Sequence, residues 1–386
     1  NTTSGGFTVN LPAGSAGAIV SVQDYNNTFD SNSLTITPNG SEKINSGAGS
    51  VILSTEGEGL TLVYIDGTVG WRSIQDSAFA DVGSVNLTAT GGTITTSGNC
   101  KIHTFTSPGT FTVTSVSNTP ADNTVSYMVV AGGGGGGGTG GGGGGGAGGF
   151  REVVSPSAPY TGSPLNGYPS APNRVTVTAT AFPITVGAGG AGGRRSSNNS
   201  ANGVNSVFST ITAAGGGRGG MAIGGPVGFP GCGGDGGSGG GGSGGGSGTS
   251  SLKGDGNTPP TSPAQGFDGG QGSGPGGGAG GGGATAVGGN AASSDGGPGG
   301  AGATSSINGT PTARAGGGGG AGASGGGMPG GTGGGGKGGS SNEAGTNGTD
   351  NTGGGGGGAG WGPDGSPNSL GGTGGSGIVI IRYKIQ

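Results

Sequence analysis

The sequence predicts a protein that is mainly β plus polyglycine II: a small all-β module at the N-terminal side, a β base, and a C-terminal bundle of packed polyglycine II helices with displayed loops. Three observations predict it. Glycine supplies 116 of 386 residues while charged residues make up 8% and apolar ones 27%, so no conventional core runs through most of the chain. Short alternating apolar segments fill the stretch before Ala131, where the composition changes abruptly. Strands then bracket and interrupt the glycine tracts, which a flexible linker would not require.

Residues 1–77 form the first predicted module. Phe7-Thr-Val-Asn-Leu, Ala18-Ile-Val-Ser-Val, Leu34-Thr-Ile and Val51-Ile-Leu alternate in polarity and are separated by Pro-Ala-Gly, Asn-Asn and Pro38-Asn-Gly. That spacing predicts strands joined by tight turns. Leu60-Thr-Leu-Val-Tyr-Ile, Asp66-Gly and Trp71 read as a last hairpin, with Trp71 a core or subunit-interface anchor. Few large apolar residues lie on these strands, so the module is expected to associate with copies of itself, which would cover its exposed edges.

Residues 78–84 read as a connector and 85–130 as a β base, with strands at Val85-Asn-Leu-Thr, Lys101-Ile-His-Thr-Phe-Thr, Thr110-Phe-Thr-Val and Val125-Ser-Tyr-Met-Val-Val. The last of these runs straight into Gly132–Gly138. Residues 131–376 form the glycine-rich region, interrupted by strands at Arg174–Val186 and Val204–Thr212. Residues 377–386 end the chain with Ile378-Val-Ile-Ile, an apolar run that needs a partner, and Tyr127–Val130 is the natural one. Glycine offers no side-chain packing and loses the most backbone entropy on ordering, so backbone hydrogen bonds between neighbouring segments must compensate. A polyglycine II helix meets that need, and seven residues of it span roughly 22 Å at about 3.1 Å each.

Charge and composition narrow the function. Thirteen basic and 17 acidic residues give a net charge of -4, too dilute and mixed to steer the chain to nucleic acid or anionic lipid. Cys100 and Cys232 lack metal-ligand or disulfide-framework spacing and are expected to be unpaired, partly buried thiols. No apolar run approaches the length of a membrane span. There is no signal-peptide pattern, and Asn1 is read as lying inside a longer product.

Neither a catalytic nor a metal site is expected, and no cofactor. The one histidine, His103, sits in an alternating strand and reads as structural. Gly331–Lys337 imitates a phosphate-binding loop, but Gly338 stands where Ser or Thr would hold magnesium. Asp235, Asp255, Asp268 and Asp295 lack calcium-loop spacing and are expected to cap turns.

Binding is expected in the residues that break the glycine runs. The candidate loops are Arg194–Asn205, Met221–Pro230, Thr249–Phe267, Ser305–Arg314, Ser340–Thr352 and Trp361–Leu370. Within them Arg194, Arg195, Met221, Ile223, Phe229, Leu252, Lys253 and Trp361 are the candidate binding residues. Bare turns do not require such groups, and aromatic or arginine anchors on preorganised loops bind at little ordering cost.

Phe105-Thr-Ser-Pro-Gly-Thr-Phe-Thr-Val, Tyr127-Met-Val-Val-Ala-Gly, Gly149-Phe-Arg-Glu, Ile184-Thr-Val-Gly-Ala-Gly-Gly-Ala-Gly-Gly and the terminal Gly-Ile-Val-Ile-Ile-Arg-Tyr occur in series over residues 100–386. This series resembles the glycine-rich domain of bacteriophage tail proteins and is similar to the polyglycine-sandwich tip adhesins of T-even-like phages. The resemblance implies a non-enzymatic adhesin at the distal end of a virion tail fibre, outside the cell. It implies a bacterial outer-surface receptor, either an outer-membrane protein or lipopolysaccharide. A homotrimer joined to other virion tail proteins through its N-terminal side is also implied. The Pro- and Tyr-rich insertion Ser155–Asn173 departs from the compact pattern. A structural glycine-rich extracellular filament and an ice-binding protein are the alternatives, and the irregular loops fit a flat ice-binding face poorly.

Overall fold

A computed structural model describes residues 1–47, 49–74, 85–138, 140–194, 200–221, 231–244, 252–274, 276–323, 326–361 and 370–385. The chain divides into two compact units, one built chiefly from Asn1–Thr88 and the other from Ala89–Val113 and Thr124–Ile385.

Two three-stranded sheets make up the first unit. Strands β1 (Phe7–Asn10), β2 (Ile19–Gln23), β3 (Leu34–Thr37), β4 (Val51–Leu53), β5 (Gly59–Asp66) and β6 (Gly70–Ser73) assemble as β1-β3-β4 and β2-β5-β6. The alternation seen in the sequence is the burial pattern: Leu34 and Ile36 point inward on β3 and Val51 and Leu53 on β4, while Ile52 faces out. Leu11, Phe29, Ile44, Leu60, Leu62 and Trp71 complete the core. Trp71 is fully buried, its indole N–H donating to Glu42 Oε2 at 3.1 Å and its ring edge-on to Tyr64. Within one chain it is a core residue.

The second unit contains β7 (Thr88–Thr90), β8 (Thr93–Ser97), β9 (Cys100–Phe105), β10 (Gly109–Ser115), β11 (Thr124–Val130), β12 (Phe150–Val153), β13 (Val175–Thr176), β14 (Ala181–Thr185), β15 (Ser206–Phe208), β16 (Ile211–Ala213), β17 (Ala303–Ser305), β18 (Thr312–Arg314) and β19 (Ile378–Lys384). One sheet runs β12-β11-β19-β9-β8, with β13 added at β11, and another runs β16-β15-β14-β10-β7. The terminal run pairs antiparallel with the strand that precedes the glycine, Val130 opposite Ile378 and Tyr127 opposite Ile381. Both faces of this pair are covered. Met128, Val130, Ile378 and Ile380 join a cluster with Ile102, Phe150 and Ile307, while Tyr127 and Tyr383 meet Phe208 and Phe111 of the other sheet.

The expected bundle of polyglycine II helices is not what forms. Among the described residues the regular structure is β-strand, with two short 3-10 turns at Pro120–Asn123 and Ala171–Asn173, and the glycine tracts belong to neither helix nor sheet. The reason lies in where their amides go. In residues 131–138, Gly132 and Gly135 donate to Val204 and Ala201, Gly133 and Gly136 to Gly375 and Gly372, and Gly134 and Gly137 to Gly146 and Gly143, all at 2.8–3.0 Å. Three further tracts donate back, from Gly190 and Gly193, from Gly216 and Gly219, and from Gly356 and Ala359. Each residue therefore bonds to a different neighbour from the one before it. Among the described residues, helix and strand are confined to segments with side chains to pack, while the tracts are held by bonds to their neighbours.

Candidate functional site

The hydrogen-bond partners fix the direction of every described tract. Residues 131–138 leave the end of β11, so they run away from the β base. Partner numbers that rise with them mark a parallel tract, as Gly190 and Gly193 bond to Gly133 and Gly136; falling numbers mark a returning one, as Gly134 and Gly137 bond to Gly146 and Gly143. By this criterion the chain reaches the end remote from the base at Gly138, Arg194, Met221, Gly244, Gly274, Ala292, Ala323, Ser340 and Trp361. Returning tracts bring it back to β12, β15, residues 235–237, the 258–266 segment, residues 284–287, β17, Gly333–Gly334, residues 349–352 and β19.

Most of the sequence-selected residues lie at this remote end. Arg194 is exposed there. Met221 is buried, only 2% exposed, with its thioether laid against Gly138 and Gly193, so it fills space at the tract ends rather than facing outward. Leu252 is exposed. Lys253 is not free: its ammonium is bound to Asp268 and lies 3.4 Å from Asp255, and the Asp268 contact raises its pKa. Trp361 is half exposed. Arg195, Ile223 and Phe229 lie outside the described residues.

Arg194, Met221 and Trp361 converge although they are far apart in sequence, because the tracts that carry them all border residues 131–138. Leu252 and Lys253 stand at the same end on a tract that does not border residues 131–138. Their tract bonds to the segments around Gly233, Gly240 and Gly269. Of the six candidate loops, Met221–Pro230 and Trp361–Leu370 lie outside the described residues over 222–230 and 362–369, and the others divide as well. Ser305–Arg314 is a hairpin at the base, with Ile307 fully buried, and residues 258–266 and 349–352 are base segments inside loops otherwise assigned to display. Conversely, the ends at Ser273–Gly277 and Ala292–Asp295 fall outside the six loops, although Ser273, Ser293, Ser294 and Asp295 interrupt the glycine there.

The insertion at 155–173 builds a polar centre in the base that sequence reasoning missed. Glu152, 2% exposed, accepts from the Tyr160 hydroxyl at 3.0 Å, the Ser305 hydroxyl at 2.5 Å, and the Ser163 amide at 2.8 Å and hydroxyl. Burial and the neighbouring Glu152 carboxylate push the Tyr160 pKa well up. The Arg382 guanidinium lies over the Tyr160 ring and donates to the carbonyls of Ile307 and Pro159. At the far end of the insertion, Asn173 accepts from the Tyr127 hydroxyl and from Arg151, both at 2.7 Å. These bonds lash the insertion to the sheet and to the β17–β18 hairpin.

The remaining chemistry-bearing groups are also held in structural bonds. His103 is fully buried, with Nδ1 2.7 Å from the Gly91 carbonyl and Nε2 3.2 Å from the Tyr383 hydroxyl. Asp235 and Asp268 accept from the amides of Asp255 and Gly256, which lie on other segments, so these two carboxylates tie neighbouring segments together instead of capping a local turn as expected. Both cysteines are free thiols; Cys100 is buried, but Cys232, expected to be partly buried, is exposed. Among the described residues no group of three or more His, Cys, Asp or Glu side chains could hold a metal ion, and no helix is long and apolar enough to cross a membrane.

No curated protein matches the chain significantly. The model of the glycine-rich domain family matches residues 106–384, from the end of β9 to the last residue of β19. That span takes in the clasping strands and all the glycine tracts between them, and the chain belongs to the glycine-rich domain family.

Proposed function

We propose that the chain is a non-enzymatic tip adhesin of a phage tail fibre, and that it recognises a bacterial surface receptor through the loops at the remote end of the glycine network. One observation carries the reading: the tracts deliver Arg194, Leu252, Ser340–Glu343 and Trp361 to a single end, opposite the β base. A scaffold of backbone hydrogen bonds lets neighbouring loops vary without altering a side-chain core, and it holds them in place before the receptor arrives. In this reading the protein acts outside the cell, on the virion. It is carried as a homotrimer joined to other tail proteins through its N-terminal module, so that weak contacts add.

The test is exchange of the remote-end loops with those of a relative of different host range. Purified protein is expected to adsorb to susceptible bacteria, and host choice is expected to follow the exchanged loops. Unchanged host choice after all of them are exchanged sinks the reading. Light scattering tests the trimer separately, and a monomer removes that part alone.

A further inference from the structure

The two tryptophans occupy opposite environments. Trp71 is sealed in a core, whereas Trp361 leaves 49% of its surface in water at the remote end. An exposed indole is not required to end a tract. Other ends use Gly274 or Ala292.

Trp361 is also held in place. Its carbonyl accepts from the Asn342 amide at 2.7 Å and lies 3.4 Å from the Ser341 hydroxyl, and Gly360 before it donates to the Glu343 carbonyl at 3.0 Å. One residue further back, Ala359 donates to Gly137. The turn opposite is equally fixed. Asn342 has a φ of 62°, Glu343 Oε2 accepts from the Ser340 amide, and the Ser341, Asn342 and Glu343 residues are exposed. A half-exposed aromatic ring is thus carried on a backbone bonded directly to a turn whose exposed residues bear a hydroxyl, an amide and a carboxylate.

This combination suits a sugar. A pyranose ring has an apolar C–H face that packs on an aromatic plane, and hydroxyls around its rim that exchange hydrogen bonds with amide and carboxylate groups. A phosphate or a lipid headgroup of negative charge would meet the Glu343 carboxylate; Lys337 lies three residues below Ser340, and the tract of Arg194 is separated from that of Trp361 by the 370–377 tract, which bonds to both. We propose that Trp361 and the Ser341–Asn342–Glu343 turn form a subsite for a neutral sugar ring. The proposal rests on the adhesin reading and names the chemistry that one part of its contact surface recognises.

The test titrates the whole chain with a panel of neutral gluco-, galacto- and manno-configured oligosaccharides while following tryptophan emission. Trp71 is buried, so a change reports Trp361, and Trp361→Ala confirms the assignment. Asn342→Gly removes the amide while keeping the left-handed backbone unstrained. A saturable emission change is expected with at least one neutral sugar, abolished in Trp361→Ala and weakened about fivefold in Asn342→Gly, as for one lost hydrogen bond. No response to any sugar of the panel, an equal response in Trp361→Ala, or a response only to anionic phospholipid vesicles overturns the proposal. Adsorption to bacteria after periodate oxidation of their surface glycans separates the two readings. Adsorption that depends on the remote-end loops but survives periodate overturns the sugar subsite and leaves the adhesin; adsorption indifferent to the loops overturns both.

Discussion

At Gly136 a Cβ would run into the carbonyl of Gly357, and at Gly133 into that of Gly354. These are backbone atoms bonded in the network, so nothing flexible can give way. Gly136→Ala is therefore expected to cost about 3 kcal/mol or more, the upper range of overpacking, and chemical denaturation would measure it. Ser341→Ala at the exposed turn should cost well under 1 kcal/mol by the same measurement. His103 supplies a second residue-scale prediction. Burial lowers its pKa below the ordinary 6.5, with Lys101 adding to the effect and the Gly91 bond opposing it. A depressed folded pKa means that the fold prefers neutral imidazole. The stability tied to this residue is complete above about pH 6.5 and is lost as pH falls through the lower folded value. Thermal midpoints should therefore decline from pH 7 towards pH 5, more steeply in the wild type than in His103→Gln. Parallel curves would show that His103 does not carry the effect.

At the scale of the element, β11 and β19 are the most legible part of the sequence. A run of Ile378-Val-Ile-Ile with no polar alternation predicts burial on both faces, and Tyr127-Met-Val-Val predicts the same, so residue order alone is enough to match the two. Ile380 is fully buried within this pair, and Ile380→Ala should cost about 2–5 kcal/mol. Hydrogen exchange offers the check: amides of the glycine tracts should lose protection together with those of β11 if the strands clasp the network. The hairpin at Ser305–Arg314 shows the limit of such reading. Ser-Ser-Ile-Asn-Gly-Thr-Pro looks like a display loop, because nothing local records that Ile307 meets Ile102 and Phe150 or that Ser305 reaches Glu152. The Glu152 centre is hidden for the same reason. Its members, Glu152, Tyr160, Ser163 and Ser305, come from three separate segments, and only the folded insertion brings them together.

At the scale of the whole chain, the composition and the bracketing strands announce that the tracts are ordered but suggest the wrong unit of order. The expected helices would each have been an element; the structure distributes the bonds of every tract over its neighbours, with the same neighbour met again three residues later, as Val204 and Ala201 follow from Gly132 and Gly135. Which loops reach the remote end depends on counting these returns, and Gly, Ser and Thr carry no mark of direction, so the sorting of Arg194 from Ser305 requires the bonds themselves. The threefold recurrence leads to a sharp contrast. Deleting Gly135 alone would move Gly136 into the bonding role of Gly135 and Gly137 into that of Gly136, misdirecting the donors to Gly372 and Gly143, while the acceptors for Gly193 and Ala359 move as well. Each misdirected amide is buried, at about 1–3 kcal/mol apiece when unsatisfied, so the deletion should abolish cooperative folding. Adding three glycines at Asn342 lengthens only an exposed turn and should cost no more than about 1 kcal/mol, since closure entropy grows slowly with length. Calorimetry of the two variants decides the matter. A deletion that melts like the wild type would mean that the tracts slide past one another, and that the network does not fix where its loops stand.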